Sequence, residues 1–339
     1  MTTDRTSAGA TNGAGAGAGA GEDSRTVTVR VPAKVNVQLA VGGIRPDGFH
    51  GLANVFLAVS LYDEVSATPA ATPRLTVSGA DAGQVPLDDS NLAVRAARAL
   101  ATHHGLGESD PVHLHLSKDI PVAGGMAGGS ADAAGALLAC DALWNTRTSH
   151  DELLALCAEL GSDVPFSLLG GAALGRGRGE LLTPLEVGGT FHWVFAVADG
   201  GLSTPAVYGE CDRLREASGG GATVADVGEP EPAPALLDAL RTGDATALAA
   251  ALAPHGGGSS SNDLQSAALS LRPSLAATLH AGTAAGALAA LVSGSGPTCA
   301  FLTKDADSAE TVAAALLASG TCRTARRATG PAPGATVVG

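Results

Sequence analysis

The sequence predicts an α+β protein of two domains, on three observations. The 339 residues are enough for two ordinary domains but not clearly for three. Stretches with β-branched alternation, such as "RTVTVRVPAKVNVQLAVGG", are interleaved with stretches of helical apolar spacing, such as "DDSNLAVRAARALATHH". A fresh strand pattern then opens at "FHWVFAVADGG", and the domain boundary is placed just before it. Hydrophobic residues make up 45% of the chain and charged residues 16%, which suits a packed interior rather than a disordered chain.

Residues 1–25 read as a low-complexity Ala/Gly tail, too poor in apolar surface to offset the entropy of ordering it. The first domain, 26–190, opens on the alternating strand, and "RPDGFHG" is a turn by composition. "LANVFLAVSLYDEVSATP" continues as strand, and the helix after it has Asp89 or Ser90 as its expected cap. "VHLHLSKDIPVA" is a strand leading into "PVAGGMAGGSADAAG", and a helix leads out of that stretch. "SHDELLALCAELG" is a further helix, with Ser149 and Glu152 spaced as a capping box. Short strands are expected around "GGAALGRGRGELLTPL". The second domain spans 191–329 and carries a Gly/Pro/Glu-rich loop near 218–234, a serine run and "ALAALVSGSGPTCAFLT". Residues 330–339 are expected to fray.

Net charge is −13, and no basic stripe offsets it, so nucleic acid is not an expected partner. No apolar run approaches the ~20 residues that span a bilayer, and no membrane partner is expected. The five cysteines are scattered and never spaced as CxxC, which speaks against a disulfide framework or a structural zinc and for a reducing compartment. The N-terminus has no apolar stretch of a secretory signal, so a cytoplasmic location is expected.

The order strand, glycine loop, helix can converge backbone N–H groups on a phosphate. Glycines there permit left-handed backbone and leave no Cβ in the way of an approaching oxygen. The loop is neither GxxxxGK[ST] nor GxGxxG. A glycine turn that packs a helix closely on a sheet is the alternative. Only three lysines exist: Lys34, Lys118 and Lys304. Lys34 lies among apolar residues of a strand, where an unpaired charge is costly, so a carboxylate partner is expected, with Asp163 the natural one. An edge-strand lysine reaching water is the alternative. Asn36 lies two residues on and shares the strand face of Lys34.

Six segments in order, from about Val29 to Phe301, resemble the GHMP kinases. They are "PAKVNVQLAVGGIRPDGFHGLANVF", "KDIP" with the glycine loop, "LGSDVPFSLLGG", "STPAVY", "SSNDLQSAAL" and "VSGSGPTCAF". Within that family the resemblance is to members that act on a cytidyl diphosphate. It implies a two-domain GHMP kinase fold, an N-terminal ATP-binding α/β domain and a ferredoxin-like C-terminal domain with the active site between them. It also implies ATP as phosphoryl donor, Mg2+ with ligands unassigned, and cytidyl-diphosphate methylerythritol as acceptor at its 2-hydroxyl. A monomer or weak homodimer is expected.

The resemblance gives Asp163 the catalytic role, with Lys34 lowering the hydroxyl pKa or orienting Asp163. It assigns phosphate contacts to the loop, namely Pro121, Val122, Ala123, Gly124, Gly125, Met126, Ala127, Gly128, Gly129, Ser130 and Ala131. Ala127 and Ala131 stand where family members often carry glycine and serine. Asn91 and Lys118 are further nucleotide candidates, with a helix start and a surface charge as the respective alternatives. Phe49, where the family usually has Tyr, and Tyr208 match the positions that sandwich the base, and His50 the one that hydrogen-bonds it. Core packing is the alternative for each ring, in a chain with only 3% aromatics. Asn36 would meet the polyol, Thr204 the ribose or a phosphate, and the loop from Ser293 to Pro297 would close the far side of the cleft. A GHMP kinase for homoserine or a mevalonate should lack the "GFH" and "STPAVY" aromatics, and a non-catalytic member should lack Asp163 or Lys34.

Overall fold

The computed structural model describes residues 25–106, 110–218, 227–253 and 261–339, so the expected tail lies outside the described residues except for Arg25. Its first half contains β1 (Val27–Ile44), β2 (His50–Pro69), β3 (Arg74–Gly79), α1 (Leu92–His103), β4 (Val112–Lys118), α2 (Gly128–Trp144), α3 (His150–Leu160), α4 (Val164–Leu169), β5 (Ala172–Arg176) and β6 (Leu181–Pro184). There follow β7 (Phe191–Val197), α5 (Thr204–Ser218), α6 (Pro234–Thr242), α7 (Ala245–Leu252), α8 (Gln265–Leu271), α9 (Ser274–Ala284), β8 (Ala289–Val292), β9 (Cys299–Thr303), α10 (Ala306–Ser319), β10 (Thr324–Gly330) and β11 (Thr336–Val337).

β1 and β2 form one long antiparallel hairpin, from Val27 opposite Ala67 to Ile44 opposite His50. The "RPDGF" turn closes it, with Gly48 at φ +82 and the Arg45 N–H donating to the Phe49 carbonyl at 2.7 Å. β2 pairs with β5 near its start and with β4 near its end, and β3 lies parallel to β4 at the sheet edge. Alternation along β1 sends Val31, Val35 and Val37 into the core and Lys34, Asn36 and Gln38 to the opposite face. A register shift between Asn36 and Gln38 bends the strand where those polar residues sit. α2 packs on this hairpin and is buried along its whole stretch from Ala131 to Leu137. Its Gly135 permits the approach, because a Cβ there would stand 2.6 Å from Val65 Cγ2.

The second sheet has the order β10-β7-β9-β8, all antiparallel. Renumbered within that sheet the order is 4-1-3-2, with helical segments after the first and third strands, which is the ferredoxin-like arrangement. Phe191, Trp193 and Phe195 of β7 face the first core with Leu236 and Leu240 of α6. Val194 and Ala196 face the other way, with Val312 and Leu316 of α10.

Two local expectations need correction. Asn91, not Asp89 or Ser90, caps α1: its side chain accepts from the Ala93 N–H, while the Ser90 hydroxyl and N–H are taken by Asp88. Asn91 holds the extended backbone of the residue just before Leu92, which a cap requires. The end of the chain does not fray either. The Ala332 N–H donates to the Ala58 carbonyl at 3.0 Å, β11 pairs with Val29 and Arg30, and the Val338 N–H donates to the Thr28 carbonyl. The open edge of β1 offers unpaired backbone groups, and the last residues satisfy them.

Candidate active site

A cleft of about 760 Å³ runs between the first hairpin, the glycine loop, α5 and the loop after β8. The glycine loop reaches it by three left-handed residues, Ala123 at φ 52, Gly125 at φ 75 and Ala127 at φ 62. Ala127 is the N-cap of α2 and has no side chain to offer, and the first helical bond runs from the Ala131 N–H to its carbonyl. The amides of Gly128, Gly129 and Ser130 are therefore left for a ligand at the positive end of a 17-residue helix. Alanine at φ 62 costs about 1 kcal/mol relative to glycine. Ala127→Gly should accordingly raise stability by roughly 0.5–1 kcal/mol in urea melts, and a loss would refute the strain.

The second half of the chain fixes the loop from above. Gly125 touches backbone at Ser293 and Gly296: a Cβ on it would lie 2.2 Å from the Ser293 carbonyl oxygen. The Ser293 hydroxyl donates to the Gly125 carbonyl at 3.1 Å, and Asn262 donates to the carbonyls of Val292 and Gly294 at 2.7 Å.

From below, Lys118 is buried and pairs with Asp63 and with Asp132, the latter at 2.6 Å. It also reaches the Gly128 carbonyl at 3.3 Å, while Asp63 accepts from the N–H groups of Asp119 and Ile120. Burial pushes the Asp132 carboxyl up to about 7 and raises Asp63 as well, whereas the two carboxylates outweigh burial and hold Lys118 above its ordinary value. The folded chain keeps a proton on Asp132 that the unfolded chain releases above 3.8, so this group's stabilisation is greatest in acid and falls as pH rises to about 7. Asp132→Asn should flatten that fall in urea melts taken between about pH 4 and 8; an unchanged slope would rule the group out as its source.

Lys34 and Asp163 meet on the cleft floor, Nζ to Oδ2 at 3.4 Å, with side chains 6% and 31% exposed. Lys34 also donates to Asn36 Oδ1 at 2.7 Å, and Asn36 donates to Asn54 Oδ1 at 2.8 Å. Asp163 occupies the N-cap position of α4 but makes no side-chain cap bond, so its carboxylate is not spent on the helix.

At the far end, Phe49 sits half-exposed on the hairpin turn with the Arg178 guanidinium 5.0 Å from its ring centre. His50 Nε2 lies 3.0 Å from Asp212 Oδ1, and its ring stacks on Tyr208 at 5.1 Å. Burial, helped by the Asp163 charge, holds the Tyr208 hydroxyl well above its ordinary pKa. Thr204 and Ser295 share a hydrogen bond of 2.9 Å between their hydroxyls.

The cleft thus gathers Lys34, Asn36, Phe49, His50, Ala123, Gly124, Gly125, Ala127, Gly128, Gly129, Ser130, Asp163, Thr204 and Tyr208. It does not gather the rest. Lys118 is neither on the surface nor in the cleft but under the loop, and Asn91 is spent on the α1 cap. Pro121 and Met126 are buried, and the Met126 carbonyl accepts from the Lys34 N–H at 3.4 Å. Val122 is half-buried away from the lining, and Ala131 faces the core, so a hydroxyl there would meet packing. Of the two rings expected to sandwich the base, Phe49 has the Arg178 guanidinium near it and Tyr208 stacks with His50, and both line the cleft. Arg178, Asp212 and Asn54 were missed. Asp212 alone had a signal, four residues beyond Tyr208 and hence on the same helix face.

The descriptions "GHMP kinases N terminal domain" and "GHMP kinases C terminal" match residues 91–171 and 236–321. A "4-diphosphocytidyl-2-C-methyl-D-erythritol kinase" of Streptomyces avermitilis is 73% identical over 310 residues, covering 91% of this chain and 99% of the relative. The chain belongs to the GHMP kinase family. Among solved GHMP kinase structures, a crystal structure of 4-(cytidine 5'-diphospho)-2C-methyl-D-erythritol kinase matches with a TM-score of 0.68 at 33% identity, covering 90% of this chain and 99% of its own. A homoserine kinase from Cytophaga hutchinsonii matches with a TM-score of 0.66 at 17% identity, covering 92% and 97%. That second likeness concerns the fold alone.

Proposed function

We propose that the chain transfers the γ-phosphoryl group of ATP to the 2-hydroxyl of 4-diphosphocytidyl-2-C-methyl-D-erythritol. One observation carries this reading: a single cleft joins the α2 N-terminus, the Lys34–Asp163 pair and the Phe49, His50 and Tyr208 rings. The relative that is 73% identical bears the name of that kinase.

The residues divide the work by place. The amides of Gly128, Gly129 and Ser130 hold phosphate oxygens by backbone alone. Asp163 accepts the proton of the acceptor hydroxyl as its oxygen bonds to the γ-phosphorus and the bond to ADP breaks. Lys34 stands beside that carboxylate, where it orients it and favours the developing alkoxide. Asn36, held by Asn54, turns toward the polyol. His50, held by Asp212, and the aromatic rings receive the base.

A magnesium ion fits the donors at the phosphate end. The Ser130 hydroxyl lines the cleft at that end and would hold a magnesium ion brought with the nucleotide, which would supply charge neutralisation. Units 26–190 and 191–329 would contribute the phosphate loop and the Thr204–Tyr208 segment respectively. A cleft built within one chain supports action as a monomer or weak homodimer. Five free cysteines, four of them buried, support a reducing, cytoplasmic setting.

ADP release should be robust with the cytidyl acceptor and at background with homoserine or mevalonate. Background turnover on the cytidyl acceptor would overturn the assignment.

A further inference from the structure

The acceptor named above keeps free hydroxyls on carbons 1, 2 and 3, and the proposed reaction takes the middle one. The cleft must therefore tell that hydroxyl from its neighbours. Asn54 has both the placement and the chemistry to do so.

His50, Leu52 and Asn54 alternate along β2 and all line the cleft, so Asn54 lies about 13 Å past His50, toward the reacting end. Across the hairpin, Asn36 is opposite Phe56 and Leu39 is opposite Asn54. One extra residue on β1 between these pairs skews the ladder, and Asn36 Nδ2 reaches Asn54 Oδ1 at 2.8 Å. The directions of these hydrogen bonds are fixed from one end. A lysine ammonium only donates, so the Asn36 atom 2.7 Å from Lys34 Nζ is its oxygen. Asn36 therefore turns its amide nitrogen to Asn54, and the Asn54 atom that receives it is again an oxygen. Gly294 leaves Asn36 no room to swing: a Cβ on it would stand 3.1 Å from Asn36 Oδ1 and 3.4 Å from Lys34 Nζ.

The amide nitrogen of Asn54 is what remains. It has no hydrogen-bond partner among the described residues, and the residue is only 3% exposed, on the cleft lining. An almost enclosed N–H2 group that opens on a cleft calls for a ligand oxygen. The carboxylate beside this wall is Asp163, 3.4 Å from Lys34. A hydroxyl can accept at one site and donate at another. At the Asn54 nitrogen it can only accept. At Asp163 it gives up its proton.

Resting on the proposed reaction, we infer that Asn54 is a specificity-determining residue: its amide donates to the oxygen of the acceptor's 3-hydroxyl and so leaves the 2-hydroxyl facing Asp163. Its position between His50 and Asp163 decides which neighbour it meets. Carbon 3 lies on the base side of the reacting carbon, and carbon 1 lies beyond it.

The test is a cycle between the Asn54 side chain and the 3-hydroxyl, read as kcat/KM for the cytidyl acceptor and for its 3-deoxy analogue. With wild-type protein the analogue should be poorer by about 10- to 100-fold, the cost of an almost buried donor left without its acceptor. Asn54→Leu should lose a similar factor on the natural acceptor and then make no distinction between the two. Asn54→Asp still accepts from Asn36 but offers no N–H to the cleft, so it should fall with Asn54→Leu. In both variants the KM for ATP should stay within about twofold of wild type. A wild-type protein that uses both acceptors equally well overturns the inference and leaves the proposed reaction standing. Losses that simply multiply, or an Asn54→Asp variant close to wild type, would show that Asn54 serves only to hold Asn36; either overturns the inference as well. No turnover of the natural acceptor by the wild-type protein defeats the proposed reaction itself, and this inference with it.

Discussion

Asp163→Asn should lower turnover of the cytidyl acceptor by about 10²- to 10⁴-fold, the range for removing a positioned proton acceptor. Asparagine keeps the size and hydrogen-bonding reach of the carboxylate but cannot take a proton at neutral pH. The side chain makes no cap bond to α4, so its replacement leaves that helix start as it was. Lys34 retains Asn36 at 2.7 Å and is not stranded. Affinity for an ATP analogue should therefore stay within about twofold of wild type, which separates a chemical defect from a folding defect. Turnover near that of the wild type would remove Asp163 from the reaction.

Lys118→Met should cost about 3–5 kcal/mol of stability, because it leaves the Asp63 and Asp132 carboxylates buried without their shared cation. The loss extends to function. Asp63 receives the N–H groups of Asp119 and Ile120 at 2.7 and 2.9 Å, and these residues lead into the glycine loop. A variant that survives expression should bind ATP analogues more weakly although Lys118 never faces the cleft. Adding Asp132→Asn to Lys118→Met should recover part of the stability by putting a neutral amide in place of one of the two buried carboxyl groups left without the cation. Urea melts of the single and double variants decide the point, and a loss below about 1 kcal/mol for the single variant would show that the triad does not hold the loop.

Local chemistry made some of this legible. The Ser149–Glu152 capping box needs only residues three apart, and the structure contains it as read. A lone lysine inside an apolar strand called for a carboxylate, and Asp163 stands 3.4 Å from Lys34. Where spacing gave no such constraint, the reading went astray. Lys118 carries a charge and follows an alternating strand, which describes a surface residue as well as a buried one. Only the convergence of β2, β4 and α2 encloses it. "TGPAPGATVVG" has no strand pattern because backbone groups on the edge of β1, not side chains, hold it in place. Arg178 belongs to a short turn whose neighbour, Phe49, lies 129 positions earlier in the numbering, and β5 pairing with β2 brings the two together.

The contact of Gly125 with Ser293 divides the cleft for anyone evolving this protein toward another acceptor. Any side chain at position 125 drives its Cβ into a carbonyl from the other half of the molecule. Position 125 therefore tolerates no side chain, and a library that varies it will return glycine among its active members. The opposite rim is built from the tips of two turns, with Phe49 half-exposed on one and Arg178 on the other, and neither is locked by the core. Variation in what the protein phosphorylates has room there, while the grip on the phosphoryl donor stays constant.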